Sequence, residues 1–124
     1  MNYLAIDYGS KRIGLAIAVE GIIEPIKPIN NDSNLFKNLN KNISDYQIDK
    51  IFIGISEGEF AKKTKKFVSD LQNMVRLPIE TTEEAVSTIE ADKIFLANHK
   101  KKKSYKKTID SISAAVILRR VINS

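Results

Sequence analysis

The sequence of 124 residues contains no cysteine and a single histidine, His99. Without cysteine, the chain forms no disulfides, offers no thiolate metal ligands and has no cysteine nucleophile. One histidine beside a run of lysines is a poor basis for a histidine-rich zinc centre or a Ser-His-Asp triad. Any chemistry must therefore rest on carboxylates, hydroxyls and lysines.

Long apolar runs are also missing from the sequence. No stretch approaches the ~18 consecutive apolar residues typical of a membrane-spanning helix, and the start of the chain does not have the pattern of a secretory signal. We therefore expect a cytoplasmic protein that does not contact a membrane. The length predicts one domain over residues 1–124.

The positive charge is concentrated in one segment. Lysine and arginine number 20 against 15 acidic residues, and six of the lysines lie in "HKKKKSYKK", residues 99–107, which leaves 14 basic residues elsewhere. A local excess of this kind suits a docking patch for a polyanion. A solvated loop is the common alternative for such a run.

The pattern of apolar residues predicts alternating strands and helices. "NYLAIDY" and "IGLAIAVE" form a hairpin across "GSKR", and "GIIEPI" follows as an edge strand because Pro25 cannot donate to a ladder. A helix over 31–46 has Asp32 or Ser33 as its cap. Further along come strands at 50–56 and 77–82 and helices at 57–75, 87–99 and 105–123. This order predicts an α/β fold, with a mixed central sheet flanked by helices.

Carboxylates follow the predicted strands. Asp7 ends the first strand, Glu83 and Glu84 follow the strand "LPIETT", and Asp110 lies near the start of the last helix. Ligand sites of such sheets lie at the carboxyl ends of the strands. Carboxylates that converge there repel each other unless a cation holds them, and oxygen ligands alone suit Mg²⁺ or Mn²⁺.

Each acid also has a simpler explanation. Asp110 would favour a helix N-terminus, Glu83 and Glu84 would be a solvated helix start, and Asp7 would initiate the turn ahead of Gly9. The spacing alone does not choose between these explanations and a metal site.

The segment "IDYGSKRIGLAIA" resembles the opening of the YqgF family, described as pre-16S rRNA nucleases and as Holliday-junction-resolvase-like proteins with a ribonuclease H-like fold. The segments "IFIGISEGEFAKKTKKF" and "IDSISAAVILRRVI" are similar to the family's central strand with its following helix and to its final helix. The resemblance covers the whole chain in order, which is more specific than an isolated Asp-x-Gly motif.

The resemblance implies that Asp7, Glu84 and Asp110 are the catalytic, metal-binding carboxylates, with Glu83 in reserve. The family's Asp-Glu-Arg motif aligns with Glu83, Glu84 and Ala85, so an aspartate and an arginine have been replaced, and its Gly-Leu-Pro loop is shortened to "GIS". These departures leave weakened or absent catalysis open.

Six basic residues complete the predicted site. Lys11 and Arg12 beside Asp7 fit phosphate contacts, although a solvated hairpin loop explains Lys11 equally well. The run Lys100, Lys101, Lys102 and Lys103 would lie in a loop that leads into Asp110 and would guide a nucleic-acid backbone.

The resemblance implies a metal-dependent endonuclease that hydrolyses RNA phosphodiesters in 5′-end maturation of pre-16S ribosomal RNA, with Mg²⁺ or Mn²⁺. Three alternatives stay open: a nucleic-acid-binding module that has lost catalysis, a resolvase acting on branched DNA, and an actin-like nucleotide-binding fragment. The chain is short for the two lobes of the last. The sequence gives no oligomeric state.

Overall fold

The computed structural model describes residues 1–55, 60–82 and 102–122, with the backbone alone described at 60 and 102–110. Within these residues, five strands and three helices follow each other. They are β1 (Tyr3–Asp7), β2 (Arg12–Val19), β3 (Ile22–Asn30), α1 (Leu35–Asp45), β4 (Lys50–Gly54), α2 (Phe60–Met74), β5 (Ile79–Thr82) and α3 (Lys102–Ile122). The predicted helix over 87–99, with its Ser87 and Glu90 capping box, lies outside the described residues.

The strands form one mixed sheet in the order β3-β2-β1-β4-β5. β1 pairs antiparallel with β2 and parallel with β4, and β4 pairs parallel with β5. The predicted hairpin and the edge position of β3 are thus confirmed, and β1 is the central strand. Because β1, β4 and β5 run in one direction, their carboxyl ends lie at the same edge of the sheet, which we call the carboxyl edge.

The sheet is covered on both faces. On one face the large aliphatic residues of β1, β2 and β4 pack against α1 and α2, with Leu39, Phe67 and Leu71 in the buried cluster. On the other face α3 packs against a surface that includes the small side chains of Ala5, Ala16 and Ala18. Small residues allow α3 to lie close to the sheet. All residues of α3 from Ser111 to Leu118 are buried except the half-buried Ser113, which confirms the deep packing that its apolar content predicts.

Two details differ from the sequence-based expectations. The residue at the N-cap of α1 is Asn34 and not Asp32 or Ser33, and it makes no side-chain cap hydrogen bond. Asp32 Oδ1 instead accepts from the backbone N–H of Asn34 at 2.9 Å, as in an Asx turn. The apolar stripe of α2 is expected to end at Met74 or Val75, and since Met74 is 51% exposed, it is Val75 that packs against the core.

The second difference is the start of α3. The helix begins at Lys102, three residues before the predicted start at Tyr105. Lysine has a good helix propensity but adds no apolar periodicity, so the first turn left no signal in the hydrophobic pattern. Lys102 and Lys103 therefore belong to a helix and not to the expected loop.

Candidate active site

Asp7 ends the central strand and is half-buried. Its two neighbours in the sheet are both glycines, Gly14 on β2 and Gly54 on β4. Side chains alternate along a strand, so Asp7 shares a face with Tyr3 and Ala5, which contact the cluster around α3. The carboxylate of Asp7 therefore stands on the α3 face of the carboxyl edge, between two positions that carry no side chain.

The neighbouring Gly54 lets α3 approach this edge. A Cβ atom at residue 54 would lie 2.7 Å from Cδ1 and 3.5 Å from Cγ1 of Ile117, a buried residue of α3. Only glycine fits this contact without a shift of the helix or of Ile117. The absence of a side chain at residue 54 thus leaves the room that Ile117 of α3 occupies on the strand next to Asp7.

A buried hydrogen bond fixes α3 along its length. Ser111 Oγ accepts the backbone N–H of Leu15 at 3.3 Å. Leu15 follows Gly14, the partner of Asp7, and lies at a register irregularity between β2 and β3. Residue 111 of α3 is therefore held near the sheet position that pairs with Asp7.

Asp110 directly precedes Ser111 on α3. It lies eight positions after the start of the helix at Lys102. The alternative explanation of Asp110 as a residue of the helix N-terminus is therefore wrong, because capping and dipole effects are confined to the first turn. Because Ser111 is hydrogen-bonded to Leu15 near the carboxyl edge, the backbone of residue 110 lies near this edge as well.

The loop between β1 and β2 is tightly folded. A Cβ on Gly9 would collide with the backbone carbonyl oxygen of Arg12, so the turn requires glycine. Asn31, just after β3, donates its side-chain amide to the carbonyl of Gly9 at 2.8 Å and its backbone N–H to the carbonyl of Lys11 at 2.9 Å. Lys11 and Arg12 are both exposed on this loop. The sequence analysis did not single out Asn31, because it lies among other asparagines typical of a loop.

The remaining predicted residues have little or no described structure. Glu83, Glu84, Lys100 and Lys101 lie outside the described residues, and only the backbone is described at Lys102, Lys103 and Asp110. β5 ends at Thr82 at the carboxyl edge, and the carbonyl of Thr82 accepts the N–H of Ile55 at 2.7 Å. Among the residues that the structure does describe, no group of three acidic or histidine side chains could hold a metal ion. The meeting of Asp7, Glu84 and Asp110 stays a prediction.

The opposite face of the carboxyl edge carries an aromatic stack that the sequence analysis missed. The ring of Phe67 stacks on Tyr8, with centroids 4.5 Å apart, and on Phe36, with centroids 5.8 Å apart. The three rings come from the end of β1, from α1 and from α2. Only the alternation that sends Tyr8 to the face opposite Asp7 could have indicated it.

The matches with known proteins extend over the whole chain. The model of the RuvX family, described as Holliday junction resolvase, matches residues 1–124. A protein of a Sulfurihydrogenibium species is 38% identical over 97% of this chain and 88% of its own length. A protein of Halothermothrix orenii is 30% identical over 99% of this chain and 95% of its own. Both carry the name "Putative pre-16S rRNA nuclease".

Solved structures show the same fold. The fowlpox virus Holliday junction resolvase aligns with a TM-score of 0.61 and 15% identity, over 98% of this chain and 96% of the viral one. The same enzyme in complex with junction DNA gives 0.59 and 13%, with full coverage of both chains. These similarities confirm the ribonuclease H-like α/β fold. Within the described part of the chain, no helix is long and apolar enough to cross a membrane. With a family model matched from end to end and relatives at 30% identity or more, the chain belongs to the RuvX family, the YqgF-type group whose members are described as Holliday junction resolvases and pre-16S rRNA nucleases.

Proposed function

We propose that residues 1–124 act as one nuclease domain that hydrolyses phosphodiester bonds of RNA. Its substrate is the precursor of 16S ribosomal RNA, and it acts in the cytoplasm. The full-length relatives named as pre-16S rRNA nucleases support the substrate. The observation that carries the proposal is the position of Asp7. A half-buried carboxylate at the end of the central strand, at the edge of the sheet where such folds bind ligands, supports a role in contact with a substrate phosphate.

The acidic residues fit Mg²⁺ or Mn²⁺. Asp7, Glu84 and Asp110 would hold the ion, because these hard cations prefer carboxylate oxygens and the chain has no cysteine. When bound, the ion supplies an activated water and stabilises the charge of the leaving oxygen. The carboxylates of Asp7 and Asp110 would balance the positive charge of the ion. The hydrogen bond of Ser111 and the packing of α3 at Gly54 would keep residue 110 at the carboxyl edge.

Basic residues would hold the substrate backbone. Lys11 and Arg12 are exposed on the loop that follows Asp7, which Asn31 fixes through two hydrogen bonds. Lys100, Lys101, Lys102 and Lys103 precede Asp110 along the chain. Contacts of this type position a nucleic acid without selecting its sequence. They would bring one phosphate to Asp7 and leave the choice of the site to other features of the RNA.

The test replaces Asp7 with asparagine. Asp7→Asn keeps the size of the side chain, and we expect loss of Mg²⁺-dependent cleavage of a precursor RNA that contains the 5′ end of 16S rRNA. The free energy of unfolding without metal should hold or rise, because one charge leaves an acidic cluster. Asp45→Asn, an exposed acid at the end of α1, is the matched control and should cleave normally. A variant Asp7→Asn that cleaves as fast as the wild type would remove Asp7 from the site.

Branched DNA is the second candidate substrate. The family description and the fowlpox virus neighbour both name Holliday junctions. The same assay should therefore include a four-way DNA junction of equal length. Faster cleavage of the junction than of the precursor RNA would favour the resolvase activity. If the wild-type protein binds RNA but cleaves neither substrate in Mg²⁺ or Mn²⁺, the result would favour a binding module without catalysis. The replacement of the family's aspartate and arginine by Glu83 and Ala85 would agree with that outcome.

A further inference from the structure

A cavity of about 290 Å³ opens on the α1–α2 face of the carboxyl edge. Tyr8, Phe36 and Phe67 line it, together with Lys63 and Lys66 of α2. None of these residues has a part in the cleavage site described above. The cavity lies across the carboxyl edge from that site, because Tyr8 directly follows Asp7 in the chain and its side chain points to the opposite face of the sheet.

The stacked rings differ in exposure. Phe67, which contacts both other rings, is 3% exposed and belongs to the core. Tyr8 and Phe36 are half-buried, and their rings lie within 28° and 21° of the plane of Phe67. The half-buried rings of Tyr8 and Phe36 therefore extend from the core ring of Phe67 to the wall of the cavity. A planar ligand can extend such a stack at little entropic cost, because the rings are already fixed.

The charges around the cavity favour a base over a backbone phosphate. The exposed Lys63 and Lys66 are balanced by Asp32 and Asp70, which also line the cavity. A track for phosphates would exclude acids, whereas a carboxylate can accept a hydrogen bond from the exocyclic amino group of a base. The two lysines stand one helical turn apart on α2 and can contact the phosphates that flank an inserted base.

We propose that this cavity is a subsite for one unpaired base of the RNA strand, packed against the aromatic wall of Tyr8 and Phe36 across the carboxyl edge from the cleaved phosphodiester. Unpaired bases stacked on aromatic side chains are the common target of proteins that recognise RNA. The proposal rests on the proposed nuclease function and adds to it that the substrate is single-stranded beside the cleavage point.

The test measures binding without cleavage. Tyr8→Leu and Phe36→Leu retain apolar bulk but remove the ring, and Tyr3→Leu is the matched control. Tyr3 is also a half-buried aromatic residue of β1, but it contacts Phe52 near the opposite end of the strand. The probe is a short single-stranded RNA with one fluorescent purine analogue, in buffer without divalent cations. Affinity is measured by anisotropy at several salt concentrations.

We expect Tyr8→Leu and Phe36→Leu to weaken binding of the single strand by about 5- to 150-fold, the range of one base stacked on an aromatic ring. The slope of log affinity against log salt should stay unchanged, because the same phosphates remain bound. Lys63→Ala with Lys66→Ala should instead reduce that slope by roughly 0.7 for each phosphate that the lysines hold. Tyr8→Phe and Tyr3→Leu should bind like the wild type, and wild-type protein should quench the analogue.

Two results would overturn the subsite: wild-type affinity in the Tyr8→Leu, Phe36→Leu double variant, or no quenching of the analogue by wild-type protein. The quenching is measured on unaltered protein, so it decides even if the double variant does not fold. The nuclease proposal fails separately. If wild-type protein binds through the stack but does not cleave, the subsite stands and the proposed activity is wrong.

Discussion

Asn31 donates its side-chain amide to the carbonyl oxygen of Gly9 at 2.8 Å, and this hydrogen bond joins the end of β3 to the loop that follows Asp7. The backbone N–H of Asn31 binds the carbonyl of Lys11 at 2.9 Å. One residue thus fixes both halves of the loop. The loop presents the exposed Lys11 and Arg12 beside the half-buried Asp7.

Asn31→Ala should loosen this loop. Loss of one part-buried hydrogen bond lowers the free energy of unfolding by about 0.5–1.5 kcal/mol. If Lys11 and Arg12 bind phosphates, KM for RNA should rise more than kcat falls, because these residues hold substrate in the ground state as well. Urea unfolding and steady-state cleavage measure the two effects.

Asn34→Ala is the control for Asn31→Ala. Asn34 is exposed and makes no side-chain cap hydrogen bond, so the free energy of unfolding of this variant should change by less than about 0.5 kcal/mol. Equal KM values for Asn31→Ala and wild type would mean that the loop needs no support from Asn31 to bind substrate.

Gly54→Ala should destabilise the fold through the contact with α3. The added Cβ would lie 2.7 Å from Cδ1 of Ile117, and overpacking of this kind costs about 1–3 kcal/mol. Ile117→Val removes that methyl group and alone costs about 0.5–1.5 kcal/mol. In the double variant the two losses of stability should not add, because valine lacks the Cδ1 atom with which the added Cβ would clash. Additive losses in urea unfolding would show that Gly54 is required for another reason.

Ser111→Ala should leave the N–H of Leu15 without its acceptor. Both groups are buried, so the free energy of unfolding should fall by about 1–3 kcal/mol. Amide hydrogen exchange at Leu15 should accelerate, whereas exchange at Leu4, in the same sheet, should follow the global change alone. If α3 then shifts along the sheet, cleavage should fall as well, because Asp110 precedes Ser111. Unchanged exchange at Leu15 would contradict the role of this hydrogen bond.

The fold was predictable because its signals are local. The alternation in β1 and β2 with Gly9 between them indicates the hairpin, and Pro25 indicates the edge strand, as the sheet order confirms. The stripe of Thr64, Phe67 and Leu71 indicates the buried face of α2. In each case the period of the pattern matches the period of the element.

The site was only partly predictable because its parts come together from distant segments. The stack of Tyr8, Phe36 and Phe67 joins three elements, and no spacing within one of them reveals it. Asn31 has no local feature that separates it from neighbouring asparagines. Asp7 could be singled out, since a carboxylate ending an apolar strand needs an explanation. The convergence of Asp7 with Glu84 and Asp110 stays a prediction, because Glu83 and Glu84 lie outside the described residues.

The last prediction concerns the lysine run. In the variant tested, alanine replaces all four of its residues, Lys100, Lys101, Lys102 and Lys103. If the run holds a nucleic-acid backbone, binding of RNAs with unrelated sequences should weaken by similar factors. The slope of log affinity against log salt should shrink by roughly 0.7–0.9 for each phosphate that the variant no longer binds. Stability should hold or rise slightly, because Lys102 and Lys103 begin α3, where positive charge opposes the helix dipole and alanine is the better helix former.

The control replaces three exposed lysines outside α3 and outside the loop after Asp7, namely Lys27, Lys37 and Lys41. Their removal lowers the net charge by a similar amount, so it isolates the general effect of charge from that of the run. The slope should change less per lysine in the control than in the quadruple variant. An equal change would mean that the run is merely solvated, and the docking surface would then be sought at Lys11, Arg12 and the exposed lysines of α2 at 62, 63, 65 and 66.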